Sequence, residues 1–236
     1  MPGYRTKQEQ IAVAGVADLV IRSLLDRQQF ADVDGSAERL GISSAGWPLF
    51  GLLWPSGARL AARLGARPVT PGERILEIGC GLALASLVAH RRGADVTASD
   101  RHPLTAHFLG ENLRLNGLAP MKYLHGDWAA SGDPDAANEG LARAVVGGRF
   151  DLIVGSDILY ERDASGDLAR FISRHAEAAC EVWVVDPDRG NRPAFNRRMA
   201  DDGFALREER LDEAASATAP AYKGRLLVYH RKLDPH

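Results

Sequence analysis
From Pro71 onward the apolar residues fall in short runs separated by stretches of helical spacing. That alternation predicts a parallel sheet covered by helices. Strands are expected at Arg74 to Ile78, Asp95 to Ser99, Met121 to Leu124, Asp151 to Ser156 and Glu181 to Val185. Helices are expected between and after them, at about Ala83 to Arg92, Pro103 to Asn116, Ala164 to Ala179 and Pro193 to Asp201. The ending differs. Phe204 to Leu211 and Arg225 to Arg231 are both strand-like, and the Ala, Ser, Thr and Pro residues between them lack the pattern of a crossover helix. Two strands joined without a crossover are most simply antiparallel.

Ahead of this region, Ile11, Val16, Leu19, Val20 and Leu24 recur at mostly helical spacing, with Glu9, Asp18, Arg22 and Asp26 on other positions. An amphipathic helix over Gln8 to Phe30 is the expectation. An irregular stretch then leads into the aromatic segment Trp47 to Pro55, and a helix over about Ser56 to Leu64 follows, with Pro55 as its starter. The chain thus divides into an N-terminal helical extension, residues 1–46, and an α/β domain, residues 47–236. The Ala-, Gly-, Asp- and Asn-rich segment Ala129 to Gly148 reads as a surface insertion.

Composition narrows the function. With 236 residues, 45% of them hydrophobic, the chain is large enough for one substantial core. A formal net charge of −2 provides no basic footprint for phosphate backbones, which argues against a nucleic-acid partner. The doublets Arg91-Arg92 and Arg197-Arg198 read as solvated helix surface. Two widely separated cysteines, Cys80 and Cys180, suit neither a disulfide framework nor a metal site and fit a reducing cytoplasm. Neither a leader pattern nor a membrane span is expected.

The chemistry gathers at the strand ends. Ile75-Leu76-Glu77-Ile78-Gly79-Cys80-Gly81-Leu82-Ala83 is a strand running into a glycine turn and then a helix, so Gly79 and Gly81 let the backbone approach a ligand closely. A dinucleotide pocket would need a small residue where this chain has Leu84, and Glu77 would repel a phosphate. S-adenosylmethionine carries a sulfonium and an ammonium group and no phosphate, so an acidic pocket suits it. Asp100, at the end of the second strand of the α/β domain, sits where a carboxylate accepts both ribose hydroxyls. It also suits a helix N-cap, since Pro103 lies in what would be the first turn.

A parallel sheet closed by an antiparallel strand pair resembles the seven-strand, Rossmann-like class I methyltransferases, over roughly Trp47 to Lys232. The resemblance implies that Asp127, in Gly126-Asp127-Trp128, holds the adenine. Asp157-Ile158-Leu159-Tyr160 is similar to the Asp-x-x-Tyr segment of the seven-strand protein lysine methyltransferases, which include those acting on the electron-transfer flavoprotein beta subunit and on chaperones. Leu53-Trp54-Pro55-Ser56-Gly57 resembles that family's tryptophan-proline segment, whose ring borders the cofactor. Asp186-Pro187-Asp188-Arg189 resembles the aspartate-proline-x-arginine turn of its flavoprotein-directed branch. Ala83 replaces the family's frequent third glycine, and Asn191-Arg192 follows the turn where related enzymes vary.

Together these readings place the cofactor against Trp54, Glu77, Gly79, Cys80, Gly81, Asp100, Arg101, Asp127, Trp128 and Ser156, with Asp157 and Tyr160 as the catalytic pair. The implied activity is transfer of a methyl group from S-adenosylmethionine to a lysine of a protein substrate, leaving S-adenosylhomocysteine. A small amine or other metabolite as acceptor, a cofactor-binding protein without catalysis and a nicotinamide oxidoreductase are the alternatives.

Overall fold
The computed structural model describes residues 4–30, 35–129, 144–160, 163–215 and 220–231. Seven strands form one sheet: β3 (Arg74–Ile78), β4 (Asp95–Asp100), β5 (Lys122–His125), β6 (Phe150–Ser156), β7 (Ala176–Asp186), β8 (Ala205–Arg210) and β9 (Arg225–Arg231), in the order β5-β4-β3-β6-β7-β9-β8. The first five in that order run parallel, and β9 lies antiparallel between β7 and β8. The expected antiparallel ending is therefore present, with the last strand inserted inside the sheet. Successive residues of a strand face opposite sides, so Ile75, Val154 and Val185 join one apolar core while Leu76, Ile153 and Val184 join the other.

Helices cover both faces. On the first lie α2 (Pro55–Ala66), α3 (Leu84–Arg91) and α4 (Thr105–Leu115); on the second lie α5 (Asp167–His175) and α6 (Arg192–Asp201). A single turn, α1 (Ser36–Arg39), and a 3-10 turn over Trp47–Gly51 precede α2. The helix expected to run to Ala179 stops at His175, because the Ala-rich residues that follow pair as strand, Ala176 opposite Phe150. Of the expected insertion, residues 130–143 lie outside the described residues, while Val145 bridges His125 at the end of β5.

The N-terminal helix expected over Gln8 to Phe30 is not formed. Those residues make a hairpin, β1 (Thr6–Ile11) and β2 (Leu19–Leu24), paired antiparallel from Thr6 opposite Leu24 to Ile11 opposite Leu19. Gly15, at φ 78°, sits in the connecting turn. Leu19, Ile21 and Ser23 point inward while Val20 stays exposed, the period of two that a half-buried strand requires. The outer edge of β2 meets α4, where two carboxamides one helical turn apart act as a substitute strand. Asn112 accepts from Arg22 N at 2.8 Å and donates to Arg22 O at 3.4 Å; Asn116 accepts from Val20 N at 2.9 Å and donates to Val20 O at 2.8 Å. Leu19, Ile21 and Leu24 join the same core as the sheet residues Ile75 and Val96. Among the described residues, no helix is long and apolar enough to cross a membrane.

Candidate active site
The carboxyl ends of β3, β4, β5 and β6 open onto one cavity of about 1040 Å³, at the upper end of the range typical of ligand pockets. All twelve residues singled out from the sequence lie on its walls.

At the end of β3 the chain turns through Gly79 (φ 57°), Gly81 (φ 51°) and Ala83 (φ 58°) into α3. A Cβ on Gly81 would lie 2.9 Å from the Phe50 carbonyl oxygen, so the turn can pass beneath the 3-10 segment only with glycine there. Ala83 takes the same left-handed geometry with its Cβ in place, at a cost of about 1–2 kcal/mol. Cys80 N donates to Ser99 O at 3.0 Å and ties the turn to β4.

Ala83 provides α3 with no side-chain cap, and Glu77 supplies one from the strand: its Oε2 accepts from Ser86 N at 2.8 Å and from the Ser86 hydroxyl. Burial pushes the Glu77 carboxyl up to about 7, the charge of Asp100 adding to it and the Ser86 donors opposing it. Asp100 accepts from Gly81 N at 2.9 Å and from His102 N at 2.8 Å, so it braces the glycine turn from the neighbouring strand. It does not cap α4, whose N-cap is Leu104. Burial raises its pKa as well, against those two amide donors and Arg101. Among the described residues neither Glu77 nor Asp100 forms an ion pair; their hydrogen bonds come from neutral donors. Two carboxylates that form no salt bridge among the described residues, beside a glycine turn, suit a cationic, phosphate-free nucleoside.

Asp127 and Trp128 follow β5. Asp127 Oδ1 accepts from Ala129 N at 3.1 Å, and the Trp128 ring packs where a Cβ on Gly79 would approach it to 3.4 Å. Trp54 donates its Nε1 to Leu49 O at 2.9 Å, which fixes the ring at the cavity edge, and the guanidinium carbons of Arg27 and Arg189 stand 5.0 and 5.9 Å from its centroid.

Beyond β6, Asp157 adopts a left-handed backbone (φ 57°), and its amide donates to Val185 O at 3.0 Å. The residue is 8% exposed. Oδ1 accepts from the Arg189 guanidinium at 2.8 Å, while Oδ2 is buried without a hydrogen bond. Burial raises the Asp157 pKa, with Ser56 and Arg189 opposing. Tyr160, 42% exposed, stands at the mouth.

Four participants were not evident from sequence. Arg189 belonged to the expected turn, yet its pairing with Asp157 spans 32 residues and leaves no local signal. Ser56 Oγ and Tyr222 OH are 2.9 Å apart across 166 residues, beneath Asp157, with Arg59 stacked on the Tyr222 ring. His102 is sandwiched between Phe50 (3.7 Å between centroids) and Trp47 (4.3 Å), and so roofs the Asp100 end.

Comparison with known proteins follows the same lines. The chain is 27% identical over 201 residues to the electron transfer flavoprotein beta subunit lysine methyltransferase of Mus musculus, covering 83% of this chain and 70% of that protein. It is 27% identical over 156 residues to the Danio rerio protein of the same name, covering 65% and 55%, and 29% identical over 161 residues to calmodulin-lysine N-methyltransferase of Arabidopsis thaliana, covering 64% and 50%. The chain thus spans about half the length of the latter two relatives. In fold it resembles a methyltransferase from Pyrococcus furiosus (TM-score 0.56, 19% identity, 77% of this chain and 85% of that one). It also resembles magnesium protoporphyrin IX methyltransferase from Synechocystis PCC 6803 with bound SAM (TM-score 0.56, 17% identity, 75% and 78%). The pattern of the lysine methyltransferase family matches residues 53–193, a span that holds the tryptophan-proline segment, the glycine turn, Asp157 and Arg189; the chain belongs to that family.

Proposed function
We propose that the protein is an S-adenosylmethionine-dependent methyltransferase acting on a lysine side chain of a protein substrate. The observation that carries this reading is one cavity walled by two carboxylates that form no salt bridge among the described residues, Glu77 and Asp100, and by a third, Asp157, paired with Arg189. When bound, S-adenosylmethionine supplies a methyl group activated by its sulfonium.

Glu77 attracts the ammonium end of the cofactor, Asp100 accepts from the ribose hydroxyls, and Asp127 with its neighbouring main-chain amides holds the adenine. Gly79, Cys80 and Gly81 give the close backbone approach, and Trp54, Arg101, Trp128 and Ser156 complete the walls. The remaining task is to align an acceptor amine with the methyl and to present it uncharged. A free lysine, with pKa near 10.4, is roughly 0.04% neutral around pH 7, so reaching the neutral amine costs about 4–5 kcal/mol unless the site shifts that pKa. Asp157 and the hydroxyl of Tyr160 orient the nitrogen, which gains the methyl and releases one proton to solvent through the open mouth.

The N-terminal segment, residues 1–46, and the turn after β7 are where substrate recognition resides. Two buried free thiols, Cys80 and Cys180, suit work in a reducing cytoplasm, and the absence of a net basic charge suits a protein rather than a nucleic-acid partner. Incubation with radiolabelled S-adenosylmethionine and a cell extract, or with purified electron-transfer flavoprotein beta subunit or calmodulin, followed by mass spectrometry, tests the reading. Label on a lysine of a protein is the expected result; label confined to low-molecular-weight material would assign the enzyme to small amines instead.

A further inference from the structure
Asp157 already has a cation. The Arg189 guanidinium bonds its Oδ1 at 2.8 Å, and the other oxygen is buried away from solvent without a hydrogen bond. The turn that delivers Arg189 is held rigidly. Arg189 N donates to Asp186 Oδ2 at 3.0 Å, Asp188 is left-handed at φ 57°, and the Asp188 carboxylate is gripped by Arg192, Arg210 and Arg225 from three different elements. Both Arg189 and Asp157 line the cavity, so an incoming lysine meets the pair, not a bare carboxylate.

A bare carboxylate would be a poor host for this reaction. An opposite charge within a few ångströms favours the charged form of an amine and raises its pKa, and each unit of rise lowers the neutral, nucleophilic fraction tenfold. The charged and titratable groups around Asp157 come from every element packed on it. Arg189 comes from the turn, Asp186 from β7, Arg192 from α6, Ser56 and Arg59 from α2, Tyr222 from the segment before β9, and Tyr160 from its own loop. Arg59 is paired with Glu213. Arg189 balances Asp157 directly, while Arg192 lies closer to Asp188 than to Asp186, so removing Arg189 leaves Asp157 as an uncompensated negative charge beside the acceptor position.

We propose that Arg189 is a positioning residue: it clamps Asp157 and cancels its charge, so that the acceptor nitrogen meets a hydrogen-bond acceptor instead of a counter-ion. Oδ1 keeps a second lone pair, so a neutral amine is still oriented while an ammonium gains little. The inference rests on the reading of Asp157 as the carboxylate that orients the acceptor.

The test compares wild type, Arg189→Met, Arg189→Lys and Asp157→Asn in the full chain. It measures kcat against pH with the protein that wild type labels, KM for that protein, and S-adenosylhomocysteine affinity by calorimetry. In Arg189→Met the kcat limb that reports the bound acceptor moves to higher pH. Turnover at pH 7 falls about tenfold for each unit of that movement and recovers in alkali. KM for the protein stays level or drops, S-adenosylhomocysteine affinity holds, and Arg189→Lys brings the limb back. A limb at the wild-type pH in Arg189→Met, or a pH-independent loss that Arg189→Lys does not mend, overturns the proposal while Asp157→Asn still cripples turnover. Full activity in Asp157→Asn overturns the underlying reading, and the inference with it.

Discussion

Glu77 changes its acid–base chemistry between the unfolded chain and the fold. Its carboxyl rises from 4.5 to about 7 through burial, so the folded state binds its proton more tightly than the unfolded state does. The resulting stabilisation is complete below pH 4.5 and disappears as pH rises through 7. Glu77→Gln removes the buried charge, so in the absence of cofactor it raises Tm at pH 8 relative to wild type and loses that advantage near pH 4, as thermal melts across pH would show. Cofactor affinity has the opposite dependence, because an ammonium ligand prefers the ionised carboxylate. S-adenosylhomocysteine should bind more tightly as pH rises through 7, with release of up to one proton, which calorimetry in buffers of different ionisation enthalpy measures directly. Asp157→Asn keeps the shape and breaks the Arg189 pairing that aims the acceptor-orienting oxygen; turnover should fall about a hundredfold or more while S-adenosylhomocysteine affinity is nearly intact. The glycines, Glu77 and Asp100 were legible because strand, turn and carboxylate are adjacent in sequence. Arg189, Ser56 and Tyr222 were not, because their partners are brought to them only by the assembled sheet.

At the scale of elements, the parallel strands were readable because their apolar runs are short and bounded by turn residues, and all but one of their expected ends lie within one residue of the observed ones. Two misreadings share a cause. Val16, Val20 and Leu24 fall four apart, as on one helix face, while Leu19, Ile21 and Ser23 alternate as in a strand, and what decides for the hairpin is remote: the side chains of Asn112 and Asn116, far along the chain, satisfy the edge of β2. Residues 176–180 have helix-favouring alanines, yet Phe150 on β6 draws Ala176 into the sheet. Asn112→Ala strips one partner from a strand edge and leaves Arg22 N unsatisfied, a loss of about 1–3 kcal/mol. For a chain of this length that is a Tm drop of roughly 2–12 °C, with S-adenosylhomocysteine affinity at 25 °C little changed because Glu77, Asp100 and the glycine turn lie on other elements. A melt and calorimetry on the same sample check both halves.

The whole molecule builds its cavity from segments far apart in sequence: residues around Phe50, the ends of four strands, and the turn around Arg189. A ligand that bridges such walls stabilises all of them together. S-adenosylhomocysteine at a hundred times its Kd should add about 2.7 kcal/mol, which raises Tm by roughly 5–10 °C, whereas a nicotinamide dinucleotide should leave it unmoved. The placement of β9 has a consequence for how the protein is made. Because this strand slots between β7 and β8 and brings Arg225 onto Asp188, a chain still on the ribosome can shape its nucleoside cleft long before its acceptor side is locked. During synthesis, then, the side carrying Glu77 and Asp100 matures first, and the side carrying Asp157 and Arg189 waits for β9 to emerge.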